Sequence, residues 1–280
     1  MTVEKIHIAH SPDSDDAFMF YALAKEKIPT PGFIFEHTLS DIQTLNQKAL
    51  EGVYEVSAIS FHAYPNVADR YALLDSGSSM GDGYGPMIIS REPQDLSVIK
   101  EKTIAIPGKQ TTAYLALQLY EPHVSVKVLP FDEILPAVKE GKVDLGLIIH
   151  EGQLTYAQEG VHCLVDLGKW WQEKTGGLPL PLGGNVVRRD LGAETCKKVA
   201  KILKEAIRYS LDHRQEALDY ALSFARGMDP KTADDFVGMY VNDLTVDYGE
   251  RGRQAVHRLF DEAVAAGLLS KKPQLDFVSA

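Results

Sequence analysis

The sequence predicts an α/β protein of two lobes with a ligand cleft between them. Three observations carry this. Short β-rich runs alternate with helix-like stretches over the first 150 residues. From about Glu194 the chain turns into successive helices, and its 280 residues suffice for two domains of roughly 100–150 residues each. Hydrophobic content of 45% against 24% charged residues fits a chain with a packed core.

The elements follow in order. Ile6–Ala9 reads as a strand, Ser11–Asp16 as a polar turn and Ala17–Lys25 as a helix. Over Asp41–Glu51 the spacing of Ile42, Leu45, Ala49 and Leu50 is helical, and Gly52 closes it. Val56–Ile59 is a strand with Ser60 at its junction, and Phe61–Tyr71 is partly helical around Pro65. Thr103–Ile106 is a strand, Pro107–Thr112 a turn and Ala113–Tyr120 a helix. Asp132–Glu140 is a helix ended by Gly141, and Leu145–Ile149 is a buried strand. Helices then follow over Glu194–Leu211, Gln215–Ala225, Lys231–Val241 and Gly249–Ala266, punctuated by Gly227, Pro230 and Gly267. The chain is expected to cross between lobes near 90–100 and 185–192. That makes 1–95 with 190–280 a larger discontinuous lobe, and 96–189 a smaller one.

Composition excludes some classes of partner. A formal net charge of -10, with no Lys/Arg run longer than a pair, argues against nucleic acid. No stretch approaches the ~20 apolar residues of a membrane span. The apolar run ending at Ala9 is too short for a secretory signal. Cys163 and Cys196 lack CxxC spacing and read as buried thiols of a reducing compartment. A cytoplasmic location is expected, and the oligomeric state is left open.

In open α/β sheets, ligands gather where strands end and helices begin. Ser11 and Ser14, Ser60, and Thr111-Thr112 stand at such junctions, where backbone dipoles and hydroxyls suit a small carboxylate. The alternative for each hydroxyl is a plain N-cap. Pro107–Thr112 lacks the glycine spacing of a phosphate loop, so a nucleotide site is rejected. Asp13 and Asp15 are expected to complement the helix dipole, whereas Asp16 can orient a ligand or a catalytic group. His150 follows an apolar strand and can serve as a general base or as a structural histidine. Leu154 stands where a zinc-protease motif needs histidine, and no other residue set has metal spacing. Trp170-Trp171 is either an aromatic wall or core packing, the latter favoured.

Several segments together resemble one family. These are Pro107-Gly-Lys-Gln-Thr-Thr-Ala-Tyr114, Gly141-Lys-Val-Asp-Leu-Gly-Leu-Ile-Ile-His-Glu151 and Asp166-Leu-Gly-Lys-Trp-Trp171. Thr175-Gly-Gly-Leu-Pro-Leu-Pro-Leu-Gly183 and Arg189-Asp-Leu-Gly192 join them. Over nearly its whole length the chain is similar to the 1,4-dihydroxy-6-naphthoate synthases of the futalosine route to menaquinone. The resemblance implies a two-lobed periplasmic-binding-protein-like (type II) fold with an interdomain cleft. It also implies a lyase that cleaves cyclic dehypoxanthine futalosine to 1,4-dihydroxy-6-naphthoate, without a cofactor. It carries the family's base onto His150, its ligand-binding threonine onto Thr112 and its serine onto Ser60.

One departure stands out. The family's first turn reads Ser-Pro-Cys-Pro-Asn-Asp-Thr-Phe, whereas here it is Ser11-Pro-Asp-Ser-Asp-Asp-Ala-Phe18, with only Asp16 of the changed stretch kept. Two other classes stay open: a non-catalytic small-anion binding or sensor protein of the same fold, and the sibling chorismate dehydratase.

Overall fold

The structure is a computed structural model that describes residues 4–225 and 228–280. Gly227, expected to separate two helices, and the first three residues of the N-terminal run lie outside the described residues. In chain order the elements begin β1 (Glu4–His10), α1 (Ser14–Ala24), β2 (Phe33–Leu39), α2 (Ile42–Glu51), β3 (Val56–Ser60), β4 (Tyr71–Leu74) and β5 (Ser79–Gly81). Next come β6 (Met87–Ser90), α3 (Val98–Glu101), β7 (Thr103–Ile106), α4 (Thr112–Tyr120), β8 (Ser125–Val128), α5 (Phe131–Lys139) and β9 (Leu145–Ile148). These lead to α6 (Gly152–Thr155), β10 (His162–Asp166), α7 (Leu167–Thr175) and β11 (Leu180–Arg188). The last are α8 (Ala193–Asp212), α9 (Arg214–Ala221), α10 (Pro230–Tyr240), α11 (Asp243–Val246), α12 (Gly249–Ala265) and β12 (Phe277–Val278).

The chain divides into two compact units. The first comprises Met1–Met80, Gly183–Arg253 and Pro273–Ala280. Its sheet runs β12-β4-β11-β3-β1-β2, with β5 beside β11. β1 pairs in parallel with both β2 and β3, and β11 is antiparallel to β3 and β4. Helix α1 (SDDAFMFYALA) buries Ala17, Phe18, Met19, Phe20 and Ala22, and α8, α9 and α10 pack on it. A helix apolar around most of its circumference has to be covered on several sides, and the C-terminal helices do this. α2 starts where Asp41 accepts the Thr44 N–H at 3.0 Å and stops at Gly52, whose φ of 71° suits glycine.

The second unit comprises Gly81–Leu182 and Gln254–Lys272. Its sheet runs β10-β6-β9-β7-β8, with β7 parallel to β8 and β9, and β6 antiparallel to β9 and β10. The central strands read as short, wholly apolar runs because both faces are covered, as at Ile104–Ile106 and Leu145–Ile148. α5 lies so close to β9 that a Cβ on Gly146 would stand 2.6 Å from Ile134.

Several elements depart from the sequence-based expectation. Met87–Ser90 is a strand hydrogen-bonded to β9 and β10, so the first passage between units falls after Met80 rather than near 90–100. The second falls after Leu182, and residues 254–272 join the second unit, where Lys174 reaches Glu262 at 3.2 Å. Strands β2, β4, β8, β10 and β11 and helix α7 were not expected. β11 was hidden by Pro181 and the Gly183-Gly184 pair, which usually argue against a strand interior. Its ladder to β3 begins only at Gly183, beyond the proline. The glycines admit neighbours: a Cβ on Gly184 would stand 2.5 Å from the Tyr248 hydroxyl.

A second close approach sits in the other unit. A Cβ on Gly168 would come within 1.9 Å of the Tyr84 carbonyl oxygen, which is main chain and cannot move aside cheaply. Gly168→Ala is therefore expected to destabilise the protein by at least the ~1–3 kcal/mol typical of overpacking. Denaturant unfolding of the variant beside the wild type measures this.

Candidate functional site

In the second unit the register Ile104↔Leu145 and Ala105↔Gly146 brings the carboxyl ends of β7 and β9 to one edge of the sheet. β7 leads into the Pro107–Thr111 turn and α4, and β9 leads to His150. Thr111 is the N-cap of α4: its Oγ1 accepts the Tyr114 N–H at 3.2 Å and donates to the Gly108 carbonyl at 2.8 Å. Thr112 Oγ1 donates to the Leu182 carbonyl at 2.6 Å. Both threonines are buried, so their hydroxyls fix the helix start. The first-turn amides of such a start lack helical partners and carry its positive dipole end.

His150 is one of two non-glycine residues with positive φ among the described residues, at 61°. That left-handed conformation turns the chain directly from β9 into the α6 turn, where the Gln153 N–H donates to the His150 carbonyl at 3.1 Å. The imidazole is half-buried and meets the Phe131 ring edge-on, centroids 4.5 Å apart. Glu151 and Gln153 are buried beside it.

Trp171 is fully buried and its indole N–H donates to the Pro179 carbonyl at 2.9 Å, so it is core. Trp170 packs edge-on against Tyr120. Asp166 caps α7 by accepting the Gly168 and Lys169 amides, and burial raises its carboxyl pKa. Burial also pushes the Cys163 thiol up to about 11.

In the first unit, parallel pairing of Ile8 with Val56 and Ala9 with Ser57 puts the ends of β1 and β3 on one edge. Ser11 is held at each polar group. Its N–H donates to Asp16 Oδ2 at 2.7 Å, its hydroxyl donates to Asp13 Oδ2 at 2.7 Å, and its carbonyl lies 3.0 Å from His10 Nδ1. Asp16 thus shapes the turn, and Asp13 binds Ser11 instead of capping α1. Ser60 is not bonded to Ser11; it pairs with Asn46 on α2. The Ser60 N–H donates to Asn46 Oδ1 at 2.8 Å, and Asn46 Nδ2 donates to Ser60 Oγ at 3.1 Å.

Sequence reasoning missed Asn46, His10, His37 and Asn185. Asn46 leaves a signal, a polar residue between Leu45 and Ala49 on the buried face of a helix. His10 and His37 leave none, because they meet only through the β1–β2 pairing. Buried Asn185 donates to the Gly77 carbonyl at 3.1 Å, within a strand that was not expected.

Among the described residues no group of three or more His, Cys, Asp or Glu could hold a metal ion, and no helix is long and apolar enough to cross a membrane. A groove lined by Arg70 and Arg188 offers no ready anion site. Their guanidiniums cap the end of α2 at the Leu50 and Gly52 carbonyls.

Residues 6–265 match the family described as menaquinone biosynthesis. The chain belongs to this family. A 1,4-dihydroxy-6-naphthoate synthase of Thermus thermophilus is 41% identical over 276 residues, covering 99% of this chain and 100% of the relative. A solved protein of Archaeoglobus fulgidus is 44% identical, with a TM-score of 0.90 over 95% of this chain and 98% of that one. The alkanesulfonate-binding protein SsuA of Xanthomonas axonopodis pv. citri, bound to MOPS, has a TM-score of 0.73 over 100% of both chains at 13% identity. That last likeness shows the fold alone, which is periplasmic-binding-protein-like. The chain is an enzyme of menaquinone biosynthesis built on that α/β fold.

Burial holds the His10 imidazole down to about 4, and His37 likewise to about 4. Both lie below the ordinary ~6.5. As pH falls from there toward 4, the unfolded chain takes up protons that the folded chain refuses. Stability present above pH ~6.5 is therefore lost on acidification, on the order of 3 kcal/mol for His10 by pH 4. Denaturant unfolding between pH 7.5 and 4.5 is expected to show this loss, with a shallower slope in His10→Asn; equal slopes would contradict it.

Proposed function

We propose that the enzyme converts cyclic dehypoxanthine futalosine to 1,4-dihydroxy-6-naphthoate with release of a three-carbon sugar fragment, His150 acting as general base. The name of the Thermus thermophilus relative, matched along its whole length, supports the reaction. The conformation of His150 carries the assignment of the base. A non-glycine residue is kept in left-handed backbone only where its surroundings over-determine it, at a cost of order 1–3 kcal/mol, and such positions cluster at functional sites. Histidine adopts this conformation more readily than most residues, which makes the cost bearable.

In the proposed step the neutral imidazole takes a proton from the bound substrate. The electron pair left behind drives cleavage of a carbon–carbon bond, and formation of an aromatic ring supplies the driving force. The start of α4 at Thr111 and Thr112 holds the substrate carboxylate through its backbone dipoles, the two hydroxyls keeping that start in shape. Ser11, Asp16 and Ser60 are the substrate-binding groups proposed for the first unit. The partner is a small carboxylate, no cofactor is called for, and a cytoplasmic setting suits two free cysteines.

Anaerobic incubation of the purified enzyme with cyclic dehypoxanthine futalosine, following naphthoate product by chromatography, tests this directly. His150→Asn is expected to lose at least ~10²-fold in kcat while still binding substrate. Full turnover by the variant would remove His150 as base. Substrate bound but never turned over by the wild type would favour a binding protein, and turnover of chorismate would favour the dehydratase.

A further inference from the structure

We infer that His37 and His10 form a relay of fixed tautomers that positions the peptide of Ser11 for substrate. The inference rests on the proposed role of Ser11 in substrate binding.

The direction of each hydrogen bond follows from what each atom can do. A carbonyl oxygen only accepts, so the proton between His10 Nδ1 and the Ser11 carbonyl, 3.0 Å apart, belongs to Nδ1. A neutral imidazole carries one N–H, so His10 Nε2 is an acceptor. His37 Nδ1, 3.1 Å away, must then be the donor. His37 Nε2 is left bearing a lone pair, buried and with no hydrogen-bond partner among the described residues. Both rings are thereby Nδ1–H tautomers.

The surroundings keep both rings neutral. The apolar ring of Phe20 on α1 lies 4.6 Å from the His10 ring and 6.4 Å from that of His37. The charged group facing His10 is Asp13, on the turn, and its carboxylate is engaged by the Ser11 hydroxyl. His10 is the titratable neighbour of His37. Desolvation outweighs these influences and lowers the pKa of both imidazoles.

The relay closes the last degree of freedom at the turn. Asp16 holds the Ser11 N–H and Asp13 holds its hydroxyl, both from within the turn itself. Among the described residues His10 holds the carbonyl, and the His37 donor anchors the His10 ring through Nε2. Without the His37 donor, His10 Nε2 becomes a buried acceptor with no partner, which favours a shift of the ring away from its place. A displaced ring would lengthen the bond from Nδ1–H to the carbonyl and loosen the peptide. Parallel pairing of β2 with β1, which sets His37 opposite Ile8, brings the donor there. Strand β2 thus has a chemical role besides its structural one.

Two measurements test the relay. Nitrogen-15 NMR of the imidazoles near neutral pH is expected to show His10 and His37 both neutral and protonated on Nδ1. An Nε2–H tautomer or an imidazolium at either residue would overturn the relay. In steady-state kinetics with cyclic dehypoxanthine futalosine, His37→Leu is expected to raise KM about tenfold with less than about a twofold change in kcat. His37→Asn places an amide N–H where Nδ1–H stood and is expected to restore most of the loss. Equal KM values for the Leu and Asn variants, at comparable thermal midpoints, would overturn the positioning role. Should His37→Leu fail to fold, the wild-type tautomers and the KM of His37→Asn decide the matter. Ser11→Ala separates the two layers. If it leaves KM unchanged, the Ser11 hydroxyl does not bind substrate; if it raises KM while His37→Leu does not, the relay fails and the Ser11 assignment stands.

Discussion

Parallel pairing between neighbouring strands is the constraint on which both polar edges depend. In the first unit β1 and β3 run side by side, so His10, Ser11 and Ser60 come to one edge although some fifty residues of chain separate them. In the second unit β7 and β9 do the same for the Pro107–Thr112 turn and His150. Parallel strands need a crossover between them, and the crossover helix starts at the same carboxyl edge. The strand end thus supplies a turn, and the helix start supplies amides with a positive dipole end.

At these edges nearly every side-chain hydroxyl is already committed to the protein. Thr111 caps α4, Thr112 holds the Leu182 carbonyl, Ser60 pairs with Asn46 and Ser11 is fixed by Asp13. Each bond is modest in net energy, about 1 kcal/mol, but leaving a buried partner unsatisfied costs about 1–3 kcal/mol. These bonds hold turns and helix starts in one geometry. An edge prepared in this way needs little reorganisation when charge develops near it, which is what catalysis by preorganised dipoles requires. The choice first posed for each hydroxyl, cap or ligand contact, is therefore too sharp, since a cap can act on a ligand through the backbone it fixes.

The two units treat histidine in different ways. His10 is buried and His37 half-buried beside Phe20, both kept neutral and hydrogen-bonded to one another. His150 is half-buried, edge-on to Phe131 and held in an unusual backbone conformation. Burial disfavours the charged imidazole and keeps His10 and His37 neutral near pH 7. The same residue type thus occupies two different settings, a packed pair in one unit and a strained turn in the other.

Local signals in the sequence sufficed for much of the fold. Apolar runs marked Ile104–Ile106 and Leu145–Ile148, the Asp41 and Gly52 pair bounded α2, and helical periodicity marked α8, α9, α10 and α12. The turn at Ser11, the end of β3 at Ser60, the start of α4 and the position of His150 were legible for the same reason, since strand–turn–helix junctions are written over a few consecutive residues. The tertiary structure alone decided what those residues bond to. Thr112 meets Leu182 seventy residues on, Ser60 meets Asn46 across a helix–strand contact, and His37 meets His10 through a strand that its own sequence did not announce. It also made a strand of Leu180–Arg188 despite Pro181, because the ladder to β3 starts past the ring that cannot donate. Hydrogen-bond partners and strand pairings are non-local: the sequence states which groups are available, and only the folded chain determines which of them come within reach.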